Sequence, residues 1–115
     1  MKIHKWGSIP AEQLNANVTR QAIHATNITV ARIHLLQGAR VPEHRHPSEQ
    51  ITFLQQGRLR FTLDAEVCVL EAGEMLEIPP NVPHSVEAVE ESVAVDVFAP
   101  VREDWIRGDD AYLRK

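Results

Sequence analysis

Hydrophobic and polar positions alternate along this chain in short runs broken by turn residues, and no run sustains the 3.6-residue period of an amphipathic helix. Arg58 to Asp64 places Leu59, Phe61 and Leu63 on one face of an extended segment, the signature of a half-buried strand. Ile28 to Leu36 reads as a clear strand closed by Gly38, preceded by a more polar one from Val18 to Asn27. Further short strands are predicted over Gln50–Leu54, Val67–Leu70, Glu74–Ile78, Ser85–Ala88 and Ser92–Ala99, with turn signals between them. Many short strands at close spacing predict an all-β, antiparallel sandwich or barrel of the jelly-roll class. At the front, Trp6 to Pro10 reads as a turn, Ala11 to Asn17 as a helical turn or loop, and Trp6 as a plug for an open barrel end. At the back, Pro100 ends the last strand, Val101 to Ile106 reads as a turn, and the tail from Gly108 as peripheral.

The stretch Gly38 to Gly57 carries the first candidate chemistry. His44 and His46 are two apart, so on an extended strand their imidazoles leave the same face, roughly 6 to 7 Å apart at the backbone, and one ion can bind both. The bland alternative is a pair of histidines on a solvated strand face. Pro47 removes a ladder donor, Ser48-Glu49 reads as a short turn, and Gln50 then starts a returning strand beside the pair, where its carbonyl oxygen is a candidate third donor. Downstream, Pro79, Pro80 and Pro83 stiffen a corner that aims His84, with Asn81 at a position where positive φ is tolerated. In the last strand Val93, Val95 and Val97 share one side, while Ala94, Asp96 and Phe98 share the other. An acid in phase with an aromatic predicts a pocket wall, since a carboxylate facing a dry core needs a partner; the alternative is an Asp96–Arg102 pair or a solvated face. Arg32 and His34 share a face that either lines the same cavity or meets solvent or another subunit. His4 and His24 read as exposed.

Taken together, these two stretches resemble the paired motifs of the cupin superfamily. A glycine, five residues, HxH, an acid position and a second glycine match Gly38, His44, His46, Gln50 and Gly57, with glutamine where the acid usually stands. The second motif matches Gly73, Pro79 and His84, with Asn81 in place of the usual glycine, and 15 residues separate Gly57 from Gly73. The resemblance implies a single cupin domain over 1–115, with an N-terminal segment at 1–17, the barrel at 18–99 and a C-terminal turn and tail at 100–115. HRHPSEQ followed by DVFAPVREDW is similar to the small cupins of pectin and alginate breakdown that convert unsaturated uronates to linear keto-sugars, in which glutamine replaces the acid. That likeness implies His44, His46, Gln50 and His84 as ligands of a divalent transition metal, and Asp96, Phe98 and Arg102 as residues needed for turnover. The donor set does not choose among nickel, zinc, iron, cobalt and manganese. On this reading Arg102 grips a sugar-acid carboxylate through two parallel hydrogen bonds, Phe98 walls the ring and Asp96 shuttles protons. The rival classes are a redox, dioxygenase-like cupin and a non-catalytic sugar-acid-binding cupin.

Composition narrows the partners. The 115 residues suffice for one core without staples. The net charge of -4, with signs interspersed, supplies no basic stripe for nucleic acid. Met1 to Trp6 lacks an apolar signal core and no 18 apolar residues run together, which argues for a cytoplasmic protein with no membrane partner. Cys68, the single cysteine, lies in an apolar run and reads as a small core residue. Exposed edges of an antiparallel barrel predict a homodimer.

Overall fold

The computed structural model describes residues 1–115. Two antiparallel sheets face each other. The larger is built from β1 (Glu12–Asn15), β2 (Val18–His24), β3 (Thr29–Leu35), β5 (Glu49–Gln56), β8 (Met75–Ile78) and β10 (Ser92–Ala99), in the order β1-β2-β3-β10-β5-β8. The smaller holds β4 (Arg40–His44), β6 (Arg58–Leu63), β7 (Glu66–Glu71) and β9 (His84–Ala88), in the order β4-β9-β6-β7. Because consecutive strands keep crossing between sheets, this is the jelly roll that the alternating pattern predicts. No helix is long and apolar enough to cross a membrane.

The core lies between the sheets and is filled by the inward positions of each strand. Ala31, Leu35, Leu54, Ala94 and Phe98 from the larger sheet meet Leu59, Phe61 and Ala88 from the smaller, all buried. Each such large side chain contributes about 1.5 to 3 kcal/mol relative to exposure. On β10 the two faces separate as the sequence predicts: Ala94 and Phe98 are 2 % exposed, while Val93, Val95 and Val97 sit half-buried on the outer surface. The loops are set by local chemistry at two points. Gly57 has φ 94, and any side chain there would collide with the Glu91 carbonyl and with Ser92. Asn81 adopts φ 62, the conformation expected where the family motif usually has glycine.

Both ends of the chain differ from the sequence reading. Ala11 to Asn17 is neither a helical turn nor a loop throughout: Glu12–Asn15 pairs with β2, Glu12 opposite Arg20, and buries Leu14 in the core. One apolar residue in a polar stretch gives no period to read, so pairing with β2 decides the conformation. Trp6 does not plug the barrel, being half-buried in a short 3₁₀ turn (Trp6–Ser8) whose carbonyl accepts a hydrogen bond from Gln21. The buried tryptophan is Trp105, carried by a one-turn helix α1 (Glu103–Arg107) where a turn was expected. Nor is the tail peripheral. Asp110 is 1 % exposed, Leu113 joins the core, and the Leu113 carbonyl accepts a hydrogen bond from Asn15. Arg32 and His34 pair opposite Val95 and Val93 on the outer face of the large sheet, and His34 bonds Glu91, so they do not line the interior.

Candidate metal centre

Three imidazoles converge at one end of the roll. His44 ends β4 and sits opposite His84, the first residue of β9, while His46 lies in the loop between β4 and β5. That loop is tied to the proline corner, where the Asn81 N–H donates to the His46 carbonyl at 2.8 Å. One ligating atom from each ring lies within 4.8 Å of the others, a spacing that could hold a metal ion. The ring orientations are fixed from behind. Nδ1 of His44 faces the Pro42 carbonyl at 2.8 Å, Nδ1 of His46 faces that of Ser48 at 2.9 Å, and Nδ1 of His84 faces that of Val82 at 2.8 Å. A carbonyl only accepts, so each Nδ1 carries the proton and each Nε2 is left with its lone pair.

Those lone pairs have no protein donor. His84 Nε2 is buried without a partner, a state that costs about 1 to 3 kcal/mol unless something fills it. His46 Nε2 faces Gln50 Oε1 at 3.1 Å. With Nδ1 protonated, both are acceptors, and two acceptors brought together in a buried site suit a cation between them. The Gln50 amide is oriented by its other end, where Nε2 donates to Thr52 Oγ1 at 2.9 Å and the Thr52 hydroxyl donates to Asp96 Oδ1 at 2.7 Å. Burial, reinforced by mutual repulsion and by Arg102, lowers the His44 and His46 imidazoles to about 4. Burial also lowers His84, so all three are neutral donors near pH 7. The chain's own residues therefore fit a divalent transition metal, with three imidazoles and one amide oxygen.

Asp96 lines the same cavity and is half-buried. Burial pushes its carboxyl up to about 6, against the opposing pull of the Thr52 hydroxyl and Arg102. The alternative Asp96–Arg102 pair is not made. Arg102 instead gives Nε and Nη2 to the two carboxylate oxygens of Asp104 at 2.9 and 2.7 Å, and Nη2 also donates to the Tyr112 hydroxyl at 2.7 Å. Its guanidinium carbon lies 4.7 Å from the Phe98 ring centroid and 4.3 Å from that of Trp105. Burial alone would weaken its charge, but Asp104 and Tyr112 outweigh that and keep it firmly protonated. The expected two-pronged grip thus meets an obstacle: the Nε edge is occupied by Asp104, and only Nη1 lacks a protein acceptor. Phe98 is wedged edge-on against both His46 and Trp105, forming a wall of the cavity.

The structure brings together all seven residues singled out from the sequence, and adds others. Thr52 links Gln50 to Asp96, and its phase with Gln50 on β5 was the signal that could have found it. Tyr112 stacks on His44 at 4.6 Å with the planes 30° apart, and Trp105 lies between Phe98 and Arg20. Nothing in the polar tail sequence announces Tyr112, because its approach depends on the Asp110 anchor to Arg20 and Arg114.

Comparison with known proteins agrees with this architecture. Over 100 residues the chain is 28 % identical to the pectin degradation protein KdgF of Dickeya dadantii, covering 84 % of this chain and 91 % of that protein. The solved KdgF from a Halomonas species superposes with a TM-score of 0.84 at 22 % identity, covering 90 % of this chain and 99 % of the other. An RmlC-like cupin from Shewanella frigidimarina superposes with a TM-score of 0.85 at 24 % identity, covering 91 % and 96 %. Residues 31–99, the span from β3 to the end of β10 that carries the histidines, Gln50 and Asp96, match the cupin domain family model, and the chain belongs to the cupin family.

Proposed function

We propose that this protein converts 4,5-unsaturated uronate monosaccharides to linear 5-keto-4-deoxyuronates, a metal-dependent ring opening followed by enol-to-keto tautomerisation. The observation that carries the proposal is the set of three imidazole Nε2 atoms, each held from behind at Nδ1 and one of them buried without a partner. The Dickeya dadantii relative, a pectin degradation protein, supports the substrate class. A divalent ion bound there would act as a Lewis acid toward substrate oxygens. Three neutral imidazoles and a neutral amide would leave its charge undiminished, whereas a carboxylate at position 50 would cancel part of it.

The remaining work falls to the chain's own groups. In ring opening the bond between the ring oxygen and C1 breaks, the C1 hydroxyl loses its proton to become an aldehyde, and the former ring oxygen becomes an enol. The enol then loses its O–H proton while C4 gains one, so the sum is an isomerisation with no change of oxidation state. Asp96 is the group placed to carry a proton between those positions. Thr52 holds one of its oxygens at 2.7 Å, and Asp96 lines the cavity. Proton transfer by such a group is worth about 10² to 10⁴ in rate. Arg102 supplies the fixed positive charge for the substrate carboxylate, and Phe98 an apolar wall for the sugar ring.

The test is an ultraviolet assay of a lyase-generated unsaturated monouronate. Metal-loaded protein is expected to remove the double-bond absorbance faster than the spontaneous reaction, a chelator to abolish the gain, and Asp96→Asn to lose about 10² or more in kcat. No acceleration over background refutes the proposal. Loss of absorbance by wild type and Asp96→Asn alike refutes the role of Asp96.

A further inference from the structure

Tyr112 lies outside the span matched to the family model, yet its side chain reaches into the cavity beside His44 and Arg102. Its hydroxyl oxygen accepts from Arg102 Nη2 at 2.7 Å, and its own O–H proton has no protein acceptor. Arg102 is in the complementary condition. Nε and one Nη2 hydrogen go to Asp104 and the other Nη2 hydrogen to Tyr112, so the two Nη1 hydrogens remain. Since Arg102 is 2 % exposed and its backbone N–H is pinned to Thr29 Oγ1 at 2.9 Å, the guanidinium cannot turn to present a different edge. The unused donors at this end of the cavity are thus Nη1 on the guanidinium and the phenolic O–H joined to it.

We propose that Tyr112 is a substrate-binding residue, its O–H and Arg102 Nη1 forming a two-donor clamp for the carboxylate of a sugar acid. The inference rests on the uronate reading above and replaces the bidentate arginine grip that Asp104 precludes. A phenol that accepts from a guanidinium while donating onward is polarised toward the anion, because donation to it and donation by it reinforce each other. Asp110 makes the arrangement durable. Buried between Arg20 at 2.8 Å and Arg114 at 3.0 Å, it anchors the 3₁₀ turn (Ala111–Arg114) that carries Tyr112. The ring stacked on His44 has a separate task, holding that half-exposed imidazole in place.

Tyr112→Phe separates these two tasks, since it keeps the ring and removes only the hydroxyl. Zinc-loaded wild type and Tyr112→Phe are titrated calorimetrically with D-galacturonate, a saturated uronate that the proposed reaction cannot consume, and with D-galactose as its uncharged counterpart. Wild type is expected to bind galacturonate and not galactose. Tyr112→Phe is expected to bind galacturonate about tenfold or more weakly, the usual consequence of losing a hydrogen bond to a charged group. Its zinc affinity is expected to stay within about twofold of wild type, whereas Tyr112→Ala, which loses the stack on His44, weakens zinc binding. In turnover of the unsaturated uronate, Tyr112→Phe is expected to raise KM by the same factor with kcat nearly unchanged. Equal galacturonate affinity in wild type and Tyr112→Phe, equal binding of galactose, or no galacturonate binding at all overturns the clamp. Tyr112-dependent galacturonate binding without turnover of the unsaturated sugar leaves the clamp standing and overturns the proposed reaction.

Discussion

Gln50→Glu tests the central electrostatic argument, because it changes one donor atom group and the sign of two interactions. In the native arrangement Gln50 donates to Thr52 and Thr52 donates to Asp96, so a single hydroxyl proton satisfies the whole row. A carboxylate at position 50 has nothing to donate. Thr52 must then choose between two acceptors, and one of them loses a hydrogen bond worth about 1 kcal/mol net. The two carboxylates would flank one hydroxyl at about 5 Å from each other, where like charges repel by about 3 kcal/mol at an effective dielectric of about 20. Metal-free Gln50→Glu is therefore expected to be about 3 to 4 kcal/mol less stable than wild type in urea melts at pH 8 with chelator present. Metal loading reverses the ranking, since the added anion beside the histidines attracts the ion and the variant then binds zinc or nickel more tightly. Turnover of the unsaturated uronate is expected to fall even at saturating metal. A variant whose metal-free stability and metal affinity both match wild type would refute the placement of Gln50 between the histidines and Asp96, and undiminished turnover would refute the need for a neutral donor.

Two further outcomes follow from other parts of the molecule. Burial alone would raise the Asp110 carboxyl, but hydrogen bonds from Arg114 and Arg20 hold it below its ordinary value of 3.8, with Glu12 the other charged group in the cluster. A carboxylate with a depressed folded-state value adds stability that is complete above its unfolded value and disappears as pH falls through the folded one. Asp110→Asn is thus expected to cost about 1.5 to 3 kcal/mol at neutral pH, by leaving the buried Arg20 charge with Glu12 at 3.2 Å as its remaining partner, and clearly less at pH 3; an equal gap in urea melts at both values contradicts this. Light scattering is expected to return a dimer, because Val67 and Met75, 62 % and 63 % exposed, lie on the edge strands β7 and β8, and a monomer mass refutes it.

What the sequence determined by itself is local and periodic. Alternation within single strands decides which residues face inward, so the phase of Ala94, Asp96 and Phe98 and the burial of Leu59 and Phe61 were readable without coordinates. His46, by contrast, lies beyond the end of β4 and is brought beside His44 by the loop to β5, not by strand alternation. Proline and asparagine chemistry likewise marked the corner that delivers His84. Tertiary structure decided everything that depends on which segments meet. The strand at Glu12–Asn15 exists because β2 offers it partners, and Asp110 is buried because Arg20 and Arg114 neutralise it. Arg102 spends one edge on Asp104, two residues away, and lies close to Tyr112, ten residues on, only because the chain doubles back between them. Periodicity reports how one segment meets the core; it carries no information about a polar side chain whose partners come from a distant part of the fold.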